Sequence, residues 1–259
     1  MSETSGLVDV IDELLQKTKR AIKLHSPNSE KCSKLTNQIN EILSGVKDFE
    51  RPDAYTITDE ICYILEHFEF DSAKASRKGS STRIESARVE KGFNELVMEK
   101  LRAGEQKVTY NDSYNVSHSS CDYVNNALKH VESHYKKIDS YINNLCDANI
   151  ITTQEVKTGF FIEDKTALGN AYNHRSKEVR SAEVRPIVLC LTKQFLDWFV
   201  DAEKLDFCFC ASNYGSDYFI YYISRDLIEE YRKHEIDMDN VEIMDFQPQV
   251  VGFHNVISD

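Results

Sequence analysis

Apolar residues recur at helical spacing along the first fifty positions. Leu7, Ile11, Leu14, Leu15 and Ile22 fall on one face of a helix, and Cys32, Leu35, Ile39, Ile42, Leu43 and Val46 do so on a second. Between them His25-Ser26-Pro27-Asn28-Ser29 supplies a breaker and a cap, so the spacing predicts a helical hairpin over residues 1–50. After Arg51-Pro52-Asp53 the period changes. Residues 55–71 are rich in β-branched and aromatic types and alternate in part, which predicts one strand or two.

A mostly helical stretch follows over about 82–150. Thr82-Arg83-Ile84-Glu85 has the capping-box pattern, and Val89, Phe93, Leu96, Val97 and Leu101 mark one stripe of a helix ending near Gly104. Lys107 to Tyr110 reads as a short strand. From Ser119 or Ser120 onward, Val124, Leu128, Val131, Tyr135, Ile138, Ile142 and Leu145 are spaced alternately four and three apart. That is a heptad seam, which predicts a helix over 120–147 packed on a long partner, either within this chain or in a second copy. The remainder predicts a strand at Gly159 to Lys165, a loop to Arg185 and a helix carrying Leu189, Phe195, Leu196 and Phe199. Strands at 206–211 and 218–224, a short helix capped by Ser224 and a last strand at 241–246 complete it. The expected fold is α/β (or α+β): a mixed central sheet flanked by helices, with the hairpin at 1–50 and a domain at 51–259 that carries the helical insertion.

With 41% hydrophobic and 10% aromatic residues in 259, the chain has the composition of a folded globular protein. There is no run of eighteen apolar residues and no basic-then-apolar amino terminus, so neither a membrane span nor a secretory signal is expected. Seven cysteines without a C-x-x-C pair are expected to be free thiols, most of them in the core, which fits a reducing cytoplasm. A net charge of −12 argues against a nucleic-acid partner, but its distribution does not. Lys74, Arg77, Lys78 and Arg83 lie in an acid-free stretch, and Arg175, Lys177 and Arg180 dominate a second. Each basic stretch directly follows an apolar strand that ends in acids.

Those two strands carry the candidate chemistry: His67-Phe68-Glu69-Phe70-Asp71 and Phe161-Ile162-Glu163-Asp164-Lys165. A carboxylate beside aromatic walls is costly to desolvate unless an opposing charge sits near it, and a divalent metal is the simplest such charge. Lys165 shares a strand face with Glu163 because side chains alternate with period two, and His67 and Glu69 share a face with Asp71 on the same rule. Three acid-x-Lys triplets occur, and only the one at Glu163 ends a compact apolar strand.

Phe70-Asp71 followed by Glu163-Asp164-Lys165 resembles the split motif of the PD-(D/E)XK nuclease superfamily, the restriction-endonuclease-like fold. The order strand, acid, strand, Glu-x-Lys, helix, strand is also similar. No proline precedes Asp71 here, and the separation from Asp71 to Glu163 is longer than the family's usual one. The resemblance implies Mg2+ or Mn2+ held by Asp71, Glu163 and the main-chain carbonyl of Asp164, with Lys165 orienting or deprotonating the attacking water. It implies accessory roles for Glu69 or His67 as a second-metal ligand or proton donor, and for Glu41 as the acid of the first core helix. Lys74, Arg77, Lys78, Arg83, Arg175, Lys177 and Arg180 would contact phosphates. The implied activity is hydrolysis of nucleic acid, DNA ahead of RNA, in a setting such as restriction or defence against foreign DNA. Two other readings stand beside it: a non-catalytic scaffold that dimerises or binds a partner through the 120–147 seam, and a carboxylate-pair sugar hydrolase, against which Trp198 lies in a predicted helix and Lys165 has no obvious task.

Overall fold

The computed structural model describes residues 6–18, 22–58, 60–73, 75–76, 79–104, 107–113, 119–166, 171–174, 184–214, 217–243 and 249–255. Its principal sheet has seven strands: β1 (Ile22–Lys23), β2 (Lys47–Asp48), β3 (Ala54–Ile57), β4 (Ile61–Phe70), β5 (Glu155–Asp164), β6 (Phe207–Tyr214) and β7 (Asp217–Ser224). They lie in the order β1-β7-β6-β5-β4-β3-β2. The central three, β4, β5 and β6, are parallel, whereas β3 and β7 run antiparallel to their inner neighbours. The fold is therefore α/β with a mixed sheet between helical layers.

Seven α-helices flank the strands among the described residues: α1 (Leu7–Lys17), α2 (Ser29–Ser44), α3 (Ser81–Arg102), α4 (Ser120–Tyr135), α5 (Ile138–Asp147), α6 (Lys193–Asp201) and α7 (Ile228–Arg232). Their starts follow local chemistry. Asn28 accepts from the Lys31 N–H at 2.8 Å to cap α2, and Ser119 accepts from the Asp122 N–H at 2.9 Å to cap α4. Thr56 Oγ1 donates to the Ile42 carbonyl at 2.6 Å, tying α2 to one sheet face, where α1 packs beside it on β7. On the other face Phe68 stacks on His134 with ring centroids 4.5 Å apart, and Phe70 meets Tyr123 edge-on at 5.3 Å, which seats α4. Trp198 of α6 packs on Tyr135 in the same layer.

Three expectations change. The first fifty residues are not a separate hairpin. Helix α1 ends at Lys17, Ile22 belongs to β1, and the edge strands β1 and β2 both come from this segment. One buried cluster runs from Leu7 to Val241, so residue 50 divides nothing. The seam at 120–147 is likewise not one helix, because tighter bonding at Lys136 and Lys137, including Lys137 N–H to the His134 carbonyl at 2.9 Å, separates α4 from α5. Val124, Val131, Ile138 and Leu145 are buried within this chain's own core. Leu128, Tyr135 and Ile142 of the same stripe are partly buried against that core, so the stripe packs within this chain. Ile138→Glu is accordingly expected to destabilise the fold by on the order of 4 kcal/mol, read as a lowered urea midpoint, rather than to dissociate a dimer. Finally, a strand beyond the expected last one, Gln249–Asn255, pairs antiparallel with Lys107–Ser113 beside α3.

Gly159 deserves its place in β5 for a steric reason. A Cβ there would lie 2.1 Å from the ring of Phe207, so the bare backbone is what lets this ring lie across the strand. All seven cysteines are free, and Cys62, Cys190, Cys208 and Cys210 are buried. Among the described residues no helix is long and apolar enough to cross a membrane.

Candidate metal site

The site hangs on the register of β4 and β5. In this parallel pair Glu69 lies opposite Glu163 and His67 opposite Phe161. The Lys165 N–H donates to the Phe70 carbonyl at 2.8 Å, extending the pairing one residue beyond the strand. Period-two alternation then brings His67, Glu69, Glu163 and Lys165 to one face at the carboxyl ends of the strands, where open α/β sheets commonly bind ligands.

The side chains meet. One ligand atom from each of His67, Glu69 and Glu163 lies within 4.8 Å of the others. The Lys165 ammonium donates to Glu163 Oε1 and stands 3.4 Å from Glu69 Oε1. His67 Nε2 is 3.5 Å from Glu163 Oε2, too far for a good hydrogen bond, and it is buried without a hydrogen-bond partner. The site is a pit with one open side: the Glu163 side chain is 2% exposed, but those of Glu69 and Lys165 are 45% and 42% exposed. Its floor is aromatic, with the His67 ring tilted against Phe161 at 6.0 Å and Phe161 stacked on Phe209 at 5.7 Å.

Electrostatics follow from this packing. Burial alone would raise the Glu163 carboxyl, but the nearby His67 and the hydrogen bond and charge of Lys165 outweigh it and hold Glu163 below the usual carboxylate value. Burial would lower Lys165, and Glu163 and Glu69 reverse that, so its ammonium is held above the ordinary lysine value. Glu163 is thus an ionised carboxylate at the bottom of the pit.

Neither a protein-family model, nor a curated protein, nor a solved structure matches this chain. The reading of the site rests on its own geometry.

The residues expected from the sequence separate into three groups. Glu163, Lys165, Glu69 and His67 come together as described. Asp71, expected as the first metal ligand, is not one of the clustered acids. The strand stops at Phe70, and Asp71 turns the chain instead: its Oδ1 accepts from the Ala73 N–H at 3.0 Å and its carbonyl from Asn126 Nδ2 at 2.9 Å. Glu69 occupies the position opposite Glu163 in its place. Of Asp164 the main-chain carbonyl was expected at the ion; its carboxylate points to the other face, where Oδ1 accepts from the Thr166 N–H at 2.9 Å and lies beside the buried Tyr123. Glu41 is far from the site. It is exposed on α2, and the phenol it acts on, raised first by burial and then by the Glu41 charge, belongs to Tyr63. Tyr63 is six residues, roughly 20 Å of strand, before Glu69. Lys74, Arg77, Lys78, Arg175, Lys177 and Arg180 lie outside the described residues, as does the side chain of Arg83.

Two rim residues went unforeseen. Lys17, at the end of α1, sits over the Tyr218 ring with its ammonium 5.2 Å from the centroid, and the charges of both Lys17 and Tyr218 act on or against Lys165. No spacing in the chain announces this pairing, because it depends on how α1 crosses β7.

A polar network on the opposite face anchors the same stretch of β4. Glu66 is buried and accepts from the Tyr141 hydroxyl at 2.6 Å and the Asp53 N–H at 3.3 Å, with His134 Nδ1 2.7 Å away. Asp53 in turn accepts from the His67 N–H at 2.7 Å, so the backbone that carries His67 is fixed from behind. Burial and then the Glu66 charge push the Asp53 carboxyl up, and burial and the Glu66 hydrogen bond push the Tyr141 phenol well up.

The donor set fits a divalent cation. Two carboxylates and an imidazole nitrogen with no hydrogen-bond partner converge within the span one ion can bridge, and Glu69 on one side is exposed to solvent. Oxygen ligands suit Mg2+, and the added imidazole shifts the preference toward Mn2+.

Proposed function

We propose that this protein hydrolyses phosphodiester bonds of nucleic acid, using a divalent cation held by Glu69, Glu163 and His67. The observation that carries the reading is the meeting of these three ligands within 4.8 Å, with the Lys165 ammonium beside them, at the open carboxyl end of two parallel strands. The bound ion, Mg2+ or Mn2+, would supply charge neutralisation for the phosphate and a more acidic water. Glu163, ionised and buried, and Glu69 at the rim would hold it. Lys165 would provide a positive donor for the attacking water or for the charge that develops on the phosphoryl oxygens. The aromatic floor of Phe161 and Phe209 keeps bulk water from beneath the site and so strengthens these interactions.

The basic stretches at 72–84 and 173–193, which follow β4 and β5 in the chain, favour an anionic polymer over a small phosphate ester. DNA is the first substrate to test. Nicking of supercoiled plasmid in Mn2+, abolished by a chelator and by Glu163→Gln, is the expected result. Nuclease activity that persists undiminished in Glu163→Gln would refute the assignment.

The other readings lose their supports. A scaffold that uses the heptad seam is less favoured, because Val124, Val131, Ile138 and Leu145 of that seam are buried in this chain's own core. A sugar hydrolase has no task for the Lys165 ammonium between its two carboxylates, and Trp198 packs between Tyr135 and Phe195 rather than lining a cleft.

A further inference from the structure

The ammonium of Lys165 lies where the bridging cation is expected. It contacts the same Glu163 oxygen and the same Glu69 oxygen, both Oε1, that face each other across the β4–β5 register. A divalent ion bonds carboxylate oxygens at roughly 2.0–2.2 Å. An ion between these oxygens would therefore sit within a few ångströms of the ammonium, in a pit whose floor is apolar and screens poorly. The two cations cannot both hold this position.

We propose that Lys165 is the built-in counter-cation of the metal-free protein, and that Mn2+ enters by displacing its ammonium from Glu163 and Glu69. This inference rests on the metal-site reading above and adds an order of events to it. In the metal-free protein the ammonium offsets the repulsion between two carboxylates placed opposite each other by the strand register. The side chain is 42% exposed and anchored only at its strand end, so it has room to move outward. Lys17 at the rim opposes its charge. The released ammonium then stands at the mouth of the pit, where a phosphate arrives, so one residue serves first as placeholder and afterwards as substrate-side donor.

Calorimetric titration of Mn2+ into the wild-type protein, Lys165→Met and Lys165→Gln, with Glu163→Gln as the control that removes the site, tests this. Both lysine variants are expected to bind Mn2+ at least about tenfold more tightly than wild type, because a cation competing for the same oxygens has been removed. Their metal-free melting temperatures should be lower than that of wild type and should recover when Mn2+ is added. In the wild-type protein, Mn2+ should also speed acetylation of Lys165 by an amine-reactive ester, read by mass spectrometry, a measurement that does not depend on any variant folding. Wild-type binding that is equal to or tighter than that of both variants, with Lys165 reactivity unchanged by Mn2+, would overturn the displacement while leaving the metal site intact. Binding by the variants and not by wild type would be the strongest support. Absence of Mn2+ binding in all of them would remove the metal-site reading and this inference together.

Discussion

Glu163→Gln is expected to lower metal-dependent DNA cleavage by about 10³-fold or more, with the fold retained by circular dichroism. Gln keeps the shape of the side chain but removes the charge that both an ion and Lys165 require, and loss of a principal electrostatic contributor has effects of this order. The same substitution has a signature in pH. Glu163 is held below its ordinary value of 4.5, so the folded protein gives up this proton more readily than the unfolded chain does. Its contribution to stability is therefore complete above about pH 4.5 and is lost as pH falls through the folded-state value. Urea unfolding of the wild type from pH 7 to 3 should show this loss, and Glu163→Gln should lack that part of it.

Glu66→Ala is expected to cost about 3–5 kcal/mol of stability, measured as a lowered urea midpoint at pH 7. The alanine leaves the Tyr141 hydroxyl, His134 Nδ1 and the Asp53 N–H without their common acceptor in a buried setting. Tyr141→Phe, which removes one donor and keeps the ring, should lose only about 1 kcal/mol. Because Asp53 also fixes the His67 N–H, Glu66→Ala should weaken Mn2+ binding in the fraction that remains folded.

Much of this architecture is legible in the chain because its cause is local. Strand β4 and the Glu163–Lys165 pair follow from alternation, which puts both charges on one face wherever the strand lies. The caps of α2 and α4 follow from Asn28 and Ser119. What was not legible depends on contacts distant in sequence. Glu69 and Asp71 share a face in an ideal strand, and only the register with β5 and the end of pairing at Phe70 decide for Glu69. Glu41 was implied by the resemblance alone, and the path of α2 over the sheet, which sets its distance from the site, cannot be read from the helix stripe. A heptad seam looks the same whether a helix or a sheet covers it, and the break at Lys136–Lys137 leaves the spacing intact. Strands β1 and β2 are two residues each, too short to show any period.

The most direct test is anomalous diffraction from crystals grown with Mn2+. The account predicts a single strong anomalous peak within bonding distance, roughly 2.0–2.3 Å, of carboxylate oxygens of Glu69 and Glu163 and of His67 Nε2, with the Lys165 ammonium moved off both carboxylates. A map with no peak in this pit at saturating Mn2+, and Lys165 still bridging Glu163 and Glu69, would contradict it.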